Sequence, residues 1–196
     1  MGALSGIISA FGLSTAAGLN AYIPLLVVAV LGRMGVINLA TPYDAITSWW
    51  AIAAIVVLGA VEFAVDKVPG ADHVNDVVQT FVRPAAGALL FAANSGVITQ
   101  TSPVVALVIG LVLAGGVHVT KAVARPVINA TTLGVGAPVV SVLEDVVSAT
   151  GSLLAVLLPA VFLLFAAFIG YVVLRIYSKI KGQRSDDDGP TIVVKA

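Results

Sequence analysis

Charged residues are absent from five long runs of the chain, residues 1–32, 45–61, 84–120, 126–143 and 146–174. A charge at the centre of a bilayer costs about 2.5–3.5 kcal/mol on insertion scales. A helical crossing needs about 20 mostly apolar residues, so these runs leave room for five to seven crossings.

In the first run Gly12, Gly18, Asn20 and Pro24 interrupt the apolar pattern. This predicts a short interfacial piece followed by a crossing that ends near Gly32. The run has no basic leader and is too long for a signal-peptide core, so it is expected to be retained. A second crossing is predicted from Ser48 to about Val65, opened by Trp49 and Trp50, whose rings favour the headgroup level. Residues 72–83 place Val74, Val77, Val78 and Phe81 at helical spacing, with His73, Asp76, Gln79, Thr80 and Arg83 elsewhere on the wheel. That pattern predicts an amphipathic helix on the membrane surface, running into a crossing that Pro84 kinks or restarts.

Thr99 to Pro103 reads as a polar turn, and the next crossing runs from Pro103 to about Thr120. Along it Ala106, Gly110 and Ala114 recur every four residues and His118 continues the face, so another backbone can approach closely. Residues 127–147 are broken by Gly134, Gly136 and Pro138 and either span or re-enter. Glu144 and Asp145 then mark the opposite interface. A final crossing is predicted from Leu153 to Leu174, across Pro159.

Composition decides the solvent. Apolar residues make up 59% of the chain and charged residues 10%, against roughly 45–50% and about 25% in soluble domains. Mean hydropathy is +1.08. So few charges cannot cover a water-facing surface. The balance of 10 basic and 10 acidic residues provides no footprint for nucleic acid. With no cysteine, disulfides and thiolate chemistry are excluded.

Counting basic residues by side favours six crossings. If residues 127–147 span, Lys67, Arg83, Lys121, Arg125, Arg175, Lys179, Lys181 and Arg184 share one side and Arg33 alone lies across. The expected fold is therefore all-α: a polytopic helical membrane protein with about six transmembrane segments, Gly/Pro-interrupted helices and one amphipathic interfacial helix. Residues 1–181 form the membrane domain and 182–196 a polar cytoplasmic tail, with both termini cytoplasmic.

The ionisable residues predict a cluster at the cytoplasmic end of the second, third and fourth crossings: Glu62, Asp66, Lys67, Asp72, Asp76, Arg83, His118, Lys121 and Arg125. Glu62 and Asp66 share a helix face, as do Asp72 and Asp76. Ionisable groups near lipid are costly unless paired or hydrated, so the cluster is the first candidate for function. It reads as an ion-pair lock between helix ends, as a pathway for a solute or ion, or as side chains snorkelling to the interface. A second constellation is the broken helices, Gly18, Asn20 and Pro24, then Asn129, Thr131, Thr132, Gly134, Gly136 and Pro138. Helix breaks within a membrane must be buried or line a wet cavity.

No GxxxxGK[ST], GxSxG or HExxH motif occurs, and no dedicated metal-ligand spacing, so neither cofactor nor metal is expected. The residues around Asp66–Asp76 also lack the DG-x-x-AR run of membrane enzymes that transfer phospho-alcohols. The chain resembles instead the bacterial multi-pass membrane family catalogued as domain of unknown function 4126, over about residues 4–180. The resemblance is carried by GLNAYIP at Gly18–Pro24, Glu62 with DKVP at Asp66–Pro69, Asp72 and Asp76, RPAAG at Arg83–Gly87, and TTLGVGAPVVSVLED at Thr131–Asp145. Ala137 departs from the Asn often found there. The resemblance implies a helical protein of the bacterial inner membrane and supplies no activity.

The expected function is that of a small permease or channel-like subunit for an ion or small polar solute, non-enzymatic and homo-oligomeric within the lipid bilayer. The alternative is an accessory or scaffold subunit of a larger cell-envelope complex. A lipid-modifying enzyme is a distant third with no motif behind it.

Overall fold

The computed structural model describes residues 2–65, 72–132 and 136–186, with the backbone alone at residues 72–76, 129, 137 and 180–186. Among the described residues the regular structure is helical, without strands. The helices are α1 (Ala3–Leu19), α2 (Tyr22–Arg33), α3 (Trp49–Val65), α4 (Asp72–Asn94), α5 (Val97–Thr101), α6 (Pro103–Thr132), α7 (Gly136–Leu157) and α8 (Pro159–Asp186), with a 3-10 turn at Tyr43–Thr47. The spans Pro103–Thr132, Pro138–Leu157 and Pro159–Lys179 are long and apolar enough to cross a membrane. Helices α1, α2 and α3 are shorter apolar ones. Residues 1–162 pack as one unit, and the remainder of α8 belongs to a second.

Within the first unit the helices alternate in direction. Gly2 and Gly6 on α1 line the same cavity as Val36 to Asn38 after α2, so α2 returns to the level where α1 starts. Arg33 stacks over the Trp49 ring at 4.1 Å, while Tyr22 packs on Gly59, so α3 is antiparallel to α2. Helix α4 runs back along α1, with Ser14 near Gly87 and Gly6 near Asn94. Helix α6 is antiparallel to α4, and α7 to α1, where Ser9 meets Ala155 and Ser148 meets Ala16. One end of the unit, the N-terminal end, carries Gly2, Arg33, Asn94 and Leu157. The other carries Asn20, Glu62, Arg83, Lys121 and Glu144.

The predicted small-residue face of α6 is the main helix contact. Ala106, Gly110, Ala114 and His118 are all buried, and a side chain at Gly110 would strike the Gly87 carbonyl and Phe91. Such a contact depends on glycine because backbone meets backbone. Buried serines supplement the packing: Ser14 donates to Gly87 O at 2.7 Å and Ser148 to Ala16 O at 3.1 Å. Because this face is spent inside the chain, it is not a surface through which copies could associate.

Several expectations are corrected. Helix α1 is no interfacial piece; Ala10, Leu13 and Ala17 are fully buried and it lies at the centre of the unit. The first apolar run therefore makes two antiparallel helices. The surface helix expected over 72–83 is part of one continuous helix containing Pro84, and its apolar side points outward. Val77 and Phe81 are 64% and 75% exposed, whereas Gln79 and Arg83 are buried. The polar turn at 99–103 is largely the short helix α5, because Thr99 turns inward and donates to Ala92 O at 2.7 Å. Glu144 and Asp145 lie inside α7 rather than at its far end. The last helix starts at Pro159 rather than Leu153, since proline fits a first helical turn where its missing N–H costs nothing.

The surface of the first unit thus shows Val, Leu, Phe and Trp, while Glu, Arg, Lys, His, Gln and Ser are enclosed. Such an inverted distribution suits lipid as the solvent and is wrong for water. In the second unit Leu164, Phe168 and Leu174 are exposed and Arg175 bonds the Tyr171 hydroxyl at 3.0 Å. The tail from residue 187 lies outside the described residues.

Candidate functional site

The break between α1 and α2 has a simple local cause. Asn20 adopts an extended conformation after α1, and its Oδ1 accepts from the backbone N–H groups of Tyr22 at 3.0 Å and Ile23 at 3.1 Å. It thereby caps the start of α2, where donors have no partner within the helix. Its Nδ2 donates to Asp145 Oδ1 on α7 at 2.9 Å. Gly18 just before it is obligatory for packing, because a Cβ there would lie 2.6 Å from the Ala114 carbonyl. On the other side of the break, Lys121 Nζ donates to the Leu19 carbonyl at 3.1 Å and pairs with Glu144 at 2.6 Å. A cation at the C-terminus of α1 also suits the helix dipole. Arg125 reaches the same carboxylate at 3.9 Å.

Beside this junction α3, α4 and α6 meet in a second group. Arg83 Nη2 donates to Glu62 Oε1 at 2.9 Å, and its Nη1 lies 3.3 Å from His118 Nδ1. A guanidinium only donates, so Nδ1 accepts and the imidazole is assigned as neutral with its proton on Nε2. That Nε2–H faces Thr80 Oγ1 at 3.1 Å. Gln79, one turn before Arg83, lies beside the Tyr22 phenol. Glu62 is the single buried residue of α3.

The groups share a level. At 1.5 Å rise per residue, Glu62 lies about 20 Å from Trp49, Glu144 about 20 Å from Leu157, Arg83 about 16 Å from Asn94 and Lys121 about 27 Å from Pro103. A hydrocarbon core of about 30 Å would place this layer in the half farthest from the N-terminal end.

Of the nine predicted cluster residues, Glu62, Arg83 and His118 meet one another, and Lys121 and Arg125 meet Glu144. Asp66 and Lys67 lie outside the described residues, as do the side chains of Asp72 and Asp76. Gln79, Tyr22, Glu144 and Asp145 belong to the layer although sequence reasoning assigned them elsewhere. The signal for Gln79 was its four-residue spacing from Arg83. Of the second constellation, Gly18, Asn20 and Pro24 do form a break within the bundle. Asn129, Thr131 and Thr132 instead continue α6 unbroken, and Gly136 and Pro138 open α7; Gly134 lies outside the described residues. Thr131 and Thr132 are exposed and donate to carbonyls of their own helix, and Thr132 Oγ1 accepts from the Gly136 N–H at 2.9 Å. They shape the end of a helical hairpin and do not line an interior.

At the N-terminal end lies a cavity of about 400 Å³, whose polar lining includes Ser9, Asn38, Asn94, Ser95 and Gln100 and, among the described residues, no ionisable side chain. Among the described residues no group of three His, Cys, Asp or Glu side chains is placed to hold a metal ion.

The family described as Domain of unknown function (DUF4126) matches residues 7–179. No curated protein and no solved structure matches the chain.

Proposed function

Since the chain belongs to the family described as Domain of unknown function (DUF4126), whose description names no activity, we propose from the geometry that it is a small permease or channel-like subunit of the bacterial inner membrane. It passes an ion or small polar solute and performs no covalent chemistry. One observation carries the reading: the Glu62–Arg83 ion pair and His118 form a buried polar triad inside lipid-facing helices, next to a break in the chain. Replacing a buried ion pair by apolar residues is often neutral or stabilising, so such a pair is a poor choice for stability alone. Ionisable groups at this depth typically mark solute and ion paths. The pair closes the path by bonding across α3 and α4, and opening would separate α3, whose one buried side chain is Glu62.

The topology we propose follows the basic residues. Lys67, Lys121 and Arg125 put the charged layer on the cytoplasmic side, with Arg33 on the other. Because α1 and α2 run antiparallel, the N-terminus then lies away from the cytoplasm, which replaces the expectation of two cytoplasmic termini. The C-terminus, following Arg175 and Lys179, is cytoplasmic. Association into a homo-oligomer would use the exposed face of α3, not the small-residue face of α6.

The test is flux into proteoliposomes measured for wild type, Glu62→Gln and Arg83→Gln. Loss of flux in variants that still elute as folded protein supports a path. Absence of flux in the wild type, together with stoichiometric partners in a mild-detergent pull-down, would support the accessory-subunit reading instead.

A further inference from the structure

Among the buried polar atoms of the charged layer that have no hydrogen-bond partner among the described residues are Gln79 Oε1 and Arg83 Nε. Gln79 is 2% and Arg83 0% exposed. A buried polar atom left unpaired costs about 1–3 kcal/mol, so two within one turn are not expected from packing alone. Their chemistry is complementary in a particular way. Oε1 is an acceptor and needs a donor hydrogen, whereas Nε–H is a donor and needs a lone pair. Residues 79 and 83 also share a helix face, with β-carbons about 5–6 Å apart. A guest able to satisfy both must carry a donor and an acceptor.

Charge narrows the guest further. Within the layer Glu62, Glu144 and Asp145 balance Arg83, Lys121 and Arg125 among the described residues. A monatomic ion can satisfy only one of the two unpaired atoms, a cation Oε1 or an anion Nε–H. A neutral guest carrying both a donor and an acceptor satisfies the two.

We infer that Gln79 and Arg83 form the binding site for a small neutral solute that both donates and accepts hydrogen bonds, such as water or urea. This rests on the permease reading and names its substrate class. Gln79 selects by offering an acceptor, while Arg83 uses Nη1 and Nη2 to hold the layer and Nε to hold the guest.

The experiment is stopped-flow light scattering on proteoliposomes of the full chain, with water and urea as neutral probes and potassium and chloride as ionic ones, against empty vesicles. Neutral flux above the empty-vesicle level that falls about tenfold in Gln79→Met, the value of one lost hydrogen bond of about 1.4 kcal/mol, supports the site. Retained flux in a folded Gln79→Met overturns the role of Gln79. Should that variant fail to fold, the wild-type comparison still decides. Ionic flux without neutral flux overturns this inference and leaves the permease reading in place. No flux of any probe overturns both.

Discussion

Arg83 and Glu62 form an ion pair of 2.9 Å in which neither side chain is more than 2% exposed. The two residues come from α3 and α4, and His118 of α6 completes the group. Removing one partner strands a buried charge, which costs about 3–5 kcal/mol. Arg83→Gln and Glu62→Gln are therefore each expected to lower stability in a detergent unfolding titration. A loss below about 1 kcal/mol would mean that the pair is hydrated and screened.

Asn20 couples the break in the first apolar run to α7. Asn20→Ala removes the acceptor for two backbone N–H groups and the donor to Asp145, with an expected cost of about 1–2 kcal/mol. Asn20→Asp would keep the cap but set a carboxylate against Asp145, so it should be at least as damaging. Adding Asp145→Asn should restore most of that loss. Unfolding titrations of the three variants check this, and an Asn20→Asp chain as stable as wild type would contradict the proposed pairing.

Two glycines of α6 should behave oppositely. A methyl at Gly110 meets Gly87 O and Phe91, whereas one at Gly116 meets nothing within 4 Å. Gly110→Ala is expected to destabilise by about 1–3 kcal/mol or more through overpacking. Gly116→Ala should be neutral or stabilising by up to about 1 kcal/mol. Melting temperatures of the two purified variants distinguish them, and equal values would mean that α4 and α6 are not in this register.

The topology is open to cysteine labelling because the chain contains no native cysteine. Val36→Cys and Val97→Cys lie at the N-terminal end, and Thr131→Cys lies beyond the charged layer. In intact cells an impermeant maleimide is expected to label the first two and spare the third. Labelling of positions 36 and 131 from the same side would overturn the alternating arrangement and the depth assigned to the layer.

Much of this was legible in the chain because lipid imposes a simple rule. Charge-free runs became helices, and the four-residue recurrence of Ala106, Gly110 and Ala114 became a helix contact. Glu62, Arg83 and His118 converge because each would otherwise set a polar group against lipid. The errors have a common origin. At residues 72–83 the membrane-surface reading leaves the polar side of the wheel at the water interface, whereas Gln79 and Arg83 are buried against neighbouring helices. A buried Gln79–Arg83 face beside lipid shows the same helical period with the opposite sense. Glu144 and Asp145 were placed at an interface because the pattern cannot show that Lys121 and Asn20 wait across the helix contact. Residues 1–32 announced their break at Asn20, but not that the first piece, α1, is buried at the centre of the unit, because an apolar run without charges reads alike at an interface and in a core.

The central claim is that the Glu62–Arg83 pair exists for passage through the membrane and not for stability. The double variant Glu62→Leu/Arg83→Met separates these roles, since it removes both charges and leaves an apolar contact of similar volume. It should recover most or all of the stability lost by either single variant, because replacing both charges is often neutral or stabilising. Its flux in proteoliposomes should remain at the level of empty vesicles. A double variant that is stable and passes solute as fast as wild type would contradict the account and leave the pair a structural lock.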